Sequence, residues 1–189
     1  MPRPVTSTPR ISLQAPADEG GAEVNDPGNL EGTGHMRIAR DGTWYHEGGP
    51  IRRIKLVKLF ASVLRREDDG RYYLVTPAER VEIEVDDAPF VAQELDPRNE
   101  GGRQVLAFRT NLDAWVEAGP DHPIFMAVSP ATGETCPYIR VKPGLDALIA
   151  RSVFYALADM ATPDTNDTTG EQRLGVWSHG TFFPLGETD

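Results

Sequence analysis

Cysteine occurs once in the 189 residues, at Cys136, so no internal disulfide can form. A single thiol fits a reducing compartment, and the expected location is cytoplasmic. The expected role of Cys136 is that of a half-buried strand thiol. No run of 18 apolar residues exists, and Met1 is not followed by the apolar stretch of a secretion signal, so no membrane partner is expected. Lysine is scarce, with 3 residues against 16 arginines. Positive charge is short overall, and a net charge of −10 argues against nucleic acid as a partner, because phosphate affinity needs a positive surface. Catalytic signatures are missing too. There is no phosphate-cradling Gly-rich loop, no Gly-x-Ser-x-Gly elbow and no His-Glu-x-x-His. No cofactor is expected, and no reaction class can be read.

What is present is repetition. Trp44-Tyr45-His46 runs on to Pro50-Ile51, and Trp177-Ser178-His179 runs on to Pro184-Leu185. A second pair, Tyr73-Leu74-Val75-Thr76-Pro77 and Tyr138-Ile139-Arg140-Val141-Lys142-Pro143, lies between them. Such words suggest two related half-structures with a groove between them. Residues 1–34 are rich in Pro, Gly, Ser, Thr and acid and cannot bury enough apolar surface to offset ordering entropy, so they are expected to be a disordered lead. An N-terminal lobe over 35–98 and a C-terminal lobe over 99–189 follow, divided at Asn99-Glu100-Gly101-Gly102.

Apolar periodicity predicts a helix over Ile51–Arg66, with Lys55, Lys58, Ser62, Arg65 and Arg66 on its narrow polar face. Arg52 and Arg53 break that pattern, and cations at a helix start oppose its dipole. Short strands are expected over Thr43–Tyr45, Arg71–Val75, Val81–Asp86, Phe90–Leu95, Val105–Phe108, Pro123–Val128 and Tyr138–Val141. A short helix is expected over Leu112–Val116, capped by Thr110 or Asn111. A second long helix is expected over Leu145–Met160, then a polar loop, then a closing strand or hairpin over Val176–Leu185. The fold class is α+β: two small lobes, each an antiparallel sheet with one main helix, sharing repeated structural motifs.

Several words carry a family likeness. They include Ile38-Ala39-Arg40-Asp41-Gly42-Thr43-Trp44, Gly49-Pro50-Ile51, Val63-Leu64-Arg65-Arg66 and Leu74-Val75-Thr76-Pro77. Asp86-Asp87-Ala88-Pro89-Phe90-Val91, Phe108-Arg109-Thr110-Asn111, Pro137-Tyr138 and Gly175-Val176-Trp177-Ser178 continue the series. From about Met36 to Gly186 the chain resembles an uncharacterised bacterial family, the domain of unknown function numbered 1285. The resemblance implies a two-lobed α+β fold with a cleft between the lobes. It also implies a role in signalling through a small, nucleotide-like ligand. It supplies no catalytic residues.

The candidate ligand-binding residues are Arg52, Arg53, Arg109, Thr110, Asn111, Trp177 and His179. The arginines offer planar forks for an anion. Trp177 offers a face for a planar group, and Thr110, Asn111 and His179 offer hydrogen bonds. Trp44 and Trp177 are more simply read as core residues. His35, His46, His122, His179 and Cys136 are scattered too widely for a zinc site, so no metal is expected. Glu82, Glu84 and Asp86 alternate along one strand and read as a solvated face. The first functional expectation is therefore capture of a small anionic ligand between the lobes. The alternatives are a hydrolase using His and Asp in the same cleft, and an adaptor whose basic helix face (Lys55, Lys58, Arg65, Arg66) docks an acidic partner.

Overall fold

The computed structural model describes residues 36–166 and 168–187. The expected disordered lead and His35 lie outside the described residues. Short alternating strands such as Met36–Ile38 and Trp115–Glu117 and longer, largely buried runs such as Arg103–Thr110, Thr135–Lys142 and Leu145–Ile149 build most of what is seen. The first sheet contains β1 (Met36–Ile38), β2 (Trp44–His46), β3 (Gly49–Pro50), β4 (Leu64–Arg66), β5 (Tyr72–Val75) and β6 (Arg80–Val85), with helix α1 (Ile54–Val63) between β3 and β4. Its strands lie in the order β3-β2-β1-β6-β5-β4. The second sheet contains β7 (Phe90–Glu100), β8 (Arg103–Thr110), β9 (Trp115–Glu117), β10 (Ile124–Val128), β11 (Thr135–Lys142) and β12 (Leu145–Ile149), in the order β9-β8-β7-β12-β11-β10.

These two orders are the same. Counting β7 as a new first strand reproduces the first sheet strand for strand. In each sheet the first and last strands pair in parallel and every other pairing is antiparallel. The local register repeats as well. Ile38 faces Val85 in one sheet, and Ala92 faces Ile149 in the other. The next N–H along donates across the pair in both: Asp86 to the Ile38 carbonyl at 3.0 Å, and Ala150 to the Ala92 carbonyl at 2.9 Å. Tyr73 on β5 and Tyr138 on β11 therefore sit on corresponding strands. The Trp-x-His words do not correspond, because Trp44 is on β2 while Trp177 is on β14, outside both sheets.

Helix α2 (Arg151–Asp159) leads to a third sheet of β13 (Thr162–Thr165), β14 (Gln172–Ser178) and β15 (Thr181–Glu187). Ser178, fully buried, pins this sheet down. Its Oγ accepts the Leu106 N–H at 3.0 Å and donates to the Ala118 carbonyl at 2.6 Å.

Four sequence expectations shift. The changeover between sheets falls at Asp86–Pro89. The expected boundary at 98/99 lies within the β7–β8 hairpin, where Gly101 and Gly102, both at positive φ, turn the chain inside one sheet. The first helix is shorter than 51–66. No side chain caps it at Arg53, and Leu64 is extended, fully buried and paired with Leu74, so tertiary pairing takes the last turn into β4. The long helix over 145–160 divides into β12 and α2 at Ala150, which is extended. β12 is hydrogen-bonded on both sides and mostly buried, so it shows the continuous apolar run of a central strand, which periodicity cannot separate from a buried helix. The expected helix over 112–116 is instead the β8–β9 turn and β9.

One hydrophobic cluster spans both six-stranded sheets and both helices. It includes Ile38, Trp44, Leu64, Leu106, Phe108, Ile139, Leu145, Leu157 and Val176. Burial of large side chains of this kind contributes about 1.5–3 kcal/mol each. Trp44 is core, with its ring 6.1 Å from Phe60. Asn111 adds a polar tie across the sheets. Its Oδ1 accepts the Val91 N–H at 3.0 Å, and its Nδ2 donates to the Gly42 carbonyl at 3.2 Å. Gly42 has φ +85, and a Cβ there would lie 2.4 Å from Asn111 Nδ2. Gly102 has φ +83 with open space around it. We expect Gly102→Ala to lower stability by about 1–2 kcal/mol from backbone strain alone. Gly42→Ala should lower it by at least about 1 kcal/mol more, because the inter-sheet contact is also lost. Urea unfolding of both variants measures the difference.

Candidate functional site

The segment that joins the two lobes, Asp86-Asp87-Ala88-Pro89, carries a carboxylate that is fully withdrawn from solvent. The Asp87 side chain has 0% exposure. Three donors from separate parts of the chain converge on it. Tyr138 on β11 donates its hydroxyl to Oδ1 at 2.6 Å, Ser129 beyond β10 donates to Oδ2 at 2.5 Å, and Arg40 from the β1–β2 turn donates Nε to Oδ2 at 3.0 Å. Arg40 also reaches Cys136 Sγ at 3.7 Å, and Cys136, expected to be half-buried, is a buried strand thiol. A buried charge is tolerated only when paired and hydrogen-bonded, and Asp87 is both. Its hydrogen bond with Asp87 holds the Arg40 guanidinium above its ordinary pKa. Burial, and then the Asp87 hydrogen bond, push the Tyr138 phenol well above the usual tyrosine value.

Asp87 is among the residues lining a groove of about 560 Å³ to which both six-stranded sheets contribute. On the first sheet's side stand Arg66 of β4, Arg71, Tyr72 of β5 and Val85 of β6. On the second sheet's side stand Phe125 and Ala127 of β10, Tyr138 and Arg140 of β11 and Asp146 of β12. Each wall carries an arginine against an aromatic ring. The Arg66 guanidinium carbon is 5.5 Å from the Tyr72 ring centre, and that of Arg140 is 5.7 Å from the Phe125 ring centre. Phe125 in turn stacks on Tyr138 at 5.7 Å. The walls come from corresponding strands of the repeat: β4, β5 and β6 on one side, β10, β11 and β12 on the other. Burial raises the Tyr72 pKa, so its hydroxyl stays a neutral donor near pH 7.

The seven residues expected to bind a ligand do not line this groove. Arg52 and Arg53 are exposed just before α1. Arg109 pairs with Glu94 and, at 3.0 Å, with Asp113, which also takes Lys58 at 3.1 Å. Thr110 is buried and its Oγ1 accepts the Ala114 N–H at 3.2 Å, closing the β8–β9 turn. Asn111 forms the tie to Gly42. Arg109, Thr110 and Asn111 thus sit together, at the end of β8 and the start of the turn that follows it. Trp177 is 41% exposed on β14, its ring 5.2 Å from Phe182. His179, at φ 49 in the β14–β15 turn, faces Glu117 with 3.0 Å between Nε2 and Oε2. Trp177 and His179 share the β14–β15 hairpin, and His179 lines a separate pocket with Glu117, Asp121 and His122.

The other motifs fall into structural roles. On the acidic strand face, Glu82 pairs with Arg71 and Asp86 with Arg37. Of the basic helix face, Lys58 is engaged by Asp113, Arg65 turns back on the Ser62 and Leu64 carbonyls, and Arg66 joins the groove. Among the described residues, no cluster of three or more His, Cys, Asp or Glu could hold a metal ion. No helix among them is long and apolar enough to cross a membrane.

Residues 23–88 match the N-terminal domain, and residues 89–185 the C-terminal domain, of the protein family of unknown function DUF1285. The chain belongs to the DUF1285 family. The DUF1285 domain boundary, 88/89, coincides with the Asp87 segment that separates the two sheets. A crystal structure of a DUF1285 family protein from Silicibacter pomeroyi is 49% identical, covers 84% of this chain and 82% of its own, and has a TM-score of 0.72. A second DUF1285 structure, from Shewanella baltica, is 26% identical, covers 66% of this chain and 91% of its own, and has a TM-score of 0.51. No curated protein matches the chain.

Sequence reasoning passed over Asp87, Ser129, Tyr138 and Arg40. Asp86-Asp87-Ala88-Pro89 reads as an ordinary solvated turn, and nothing local marks one of its two acids as buried. Asp87→Asn should lower stability by about 2–4 kcal/mol, since it leaves Arg40 and two buried hydroxyls poorly matched. Tyr138→Phe should cost about 1 kcal/mol. The folded-state pKa of Tyr138 is raised, so its contribution is full below about pH 10, the unfolded value, and declines as pH rises beyond it. Denaturant titrations from pH 8 to 11 should show native stability falling faster than that of Tyr138→Phe.

Proposed function

We propose that this DUF1285 protein is a ligand-binding module that takes a small anionic molecule into the inter-lobe groove. The observation that carries the reading is the placing of Arg66 and Arg140, each beside an aromatic ring, on opposite walls of one concave site at the lobe junction. Pockets that combine apolar walls with a few convergent charged groups are the usual form of small-molecule sites. Guanidinium groups suit carboxylate or phosphate because two parallel N–H donors match two oxygens. Kinship supports a place in bacterial signalling, and the single reduced-type cysteine supports a cytoplasmic setting. In that role a bound ligand would bias the side-chain arrangement around Arg66 and Tyr72, because one core spans both lobes. The hydrolase alternative finds no histidine in this groove, and its support is a separate pocket where His179, 3.0 Å from Glu117, stands with Asp121 and His122. The adaptor alternative is weakened by the pairing of Lys58 with Asp113 and by Arg66 lying on β4 beyond the helix.

Thermal unfolding in the presence of nucleotides, phosphorylated metabolites and organic acids tests the proposal. A ligand present at 100 times its Kd stabilises the fold by about 2.7 kcal/mol, a rise in Tm of roughly 5–10 °C for a chain of this size. At least one anion should give such a rise, and the double variant Arg66→Gln/Arg140→Gln should abolish it. A rise that persists undiminished in the double variant would place the ligand elsewhere and overturn the proposal.

A further inference from the structure

The groove's own charges narrow the class of ligand. Arg140 is already held by Asp146 through a close Nε to Oδ1 hydrogen bond. Arg71 is held by Glu82, with Nη1 3.3 Å from both carboxylate oxygens. Asp87 is neutralised by Arg40. Among the described residues, Arg66 alone of the groove's charged groups has no charged partner. Its Nε donates to the Gly70 carbonyl at 3.1 Å, which leaves its outer nitrogens for a ligand. The lining thus carries one positive charge in excess.

The walls add a shape. Tyr72 and Phe125 are half-buried and aromatic, and Val85 and Ala127 add apolar lining. Planar groups gain from offset contact with such rings, while polar bodies lose hydration there. A polyphosphate would bring several negative charges towards Asp87 and Asp146 with one guanidinium to meet them. Uncompensated charge in a partly desolvated site is strongly unfavourable. An acid with one negative charge leaves the site balanced.

Resting on the ligand-binding reading above, we propose that the groove selects an aromatic acid carrying a single negative charge. Its carboxylate meets Arg66, and its ring lies between Tyr72 and Phe125. Doubly charged and polyphosphate ligands are disfavoured because Asp146 occupies the second arginine.

Titration calorimetry of the full chain with benzoate, benzamide, acetate, phthalate and ATP tests the assignment. Benzoate should bind about tenfold or more tighter than benzamide, which lacks the charge, and than acetate, which lacks the ring, a difference of the size of one charged hydrogen-bonded contact. Phthalate and ATP should bind more weakly than benzoate. Arg66→Gln should lose benzoate about tenfold or more. Asp146→Asn frees Arg140, and phthalate should gain about tenfold relative to benzoate in that variant. This gain of binding cannot arise from a damaged fold. Tighter binding of ATP or phthalate than of benzoate by the native chain would overturn the single-charge assignment while leaving the anion-binding reading intact. Silence of all five probes, with the broader anion panel still raising Tm, would overturn the aromatic-acid assignment alone. Silence in both experiments would remove the reading on which it rests.

Discussion

A single buried carboxylate, that of Asp87, sets the geometry on which the groove depends. It lies in the short segment between two sheets and gathers a hydroxyl from β11, a hydroxyl from beyond β10 and a guanidinium from the β1–β2 turn. Such a group tolerates little movement, because any partner withdrawn leaves a charge or a donor unmatched in a medium of low polarity. The linker is therefore a clamp, and the strands on either side of it are held at a fixed separation. The groove is the space this separation leaves between β4–β6 and β10–β12.

The shared core has a consequence for how such a site would work. Apolar packing continues from the first sheet through to the second, with α1, α2 and β14 completing it. Two lobes joined in this way cannot swing apart as freely as lobes linked by a hinge. A ligand would thus meet a largely formed site, with side-chain adjustment at Arg66 and Tyr72 in place of domain closure. The repeat contributes to that site directly. Because the two six-stranded units follow one strand order, the junction brings the same kind of strand edge forward from both sides. Each edge presents an arginine next to an aromatic ring.

Much of the architecture was legible in the sequence, and the reasons are local. Val81-Glu82-Ile83-Glu84-Val85 alternates as a half-exposed strand must, and it is β6. Val176 to Leu185, open between a strand and a hairpin in the sequence, is a hairpin turning at His179-Gly180, both at positive φ. The repeated Tyr73 and Tyr138 words fall on corresponding strands but out of register, since Tyr73 opposes Glu82 and it is Arg140 that opposes the equivalent Asp146. The Trp-x-His words gave a false sign of correspondence, since a three-residue match can arise in unrelated strands. Leu145–Ile149 misled because a strand buried on both faces loses the alternation that identifies strands. The site was less legible than the fold for a related reason. Arg52 and Arg53 stood out by breaking a pattern, whereas Arg66 fitted one, as the polar edge of a helix that in fact ends at Val63. Asp87 looked like a turn residue because its three partners lie 42 to 51 residues away in sequence, and no local signal reports contacts at that range.

The most direct test of the groove as the ligand site is anomalous X-ray scattering from crystals of the full chain grown with p-bromobenzoate. A bromine peak between Tyr72 and Phe125, with the carboxylate directed at Arg66, is the predicted result. A peak at Trp177 and His179, or on any surface outside the groove, would contradict it.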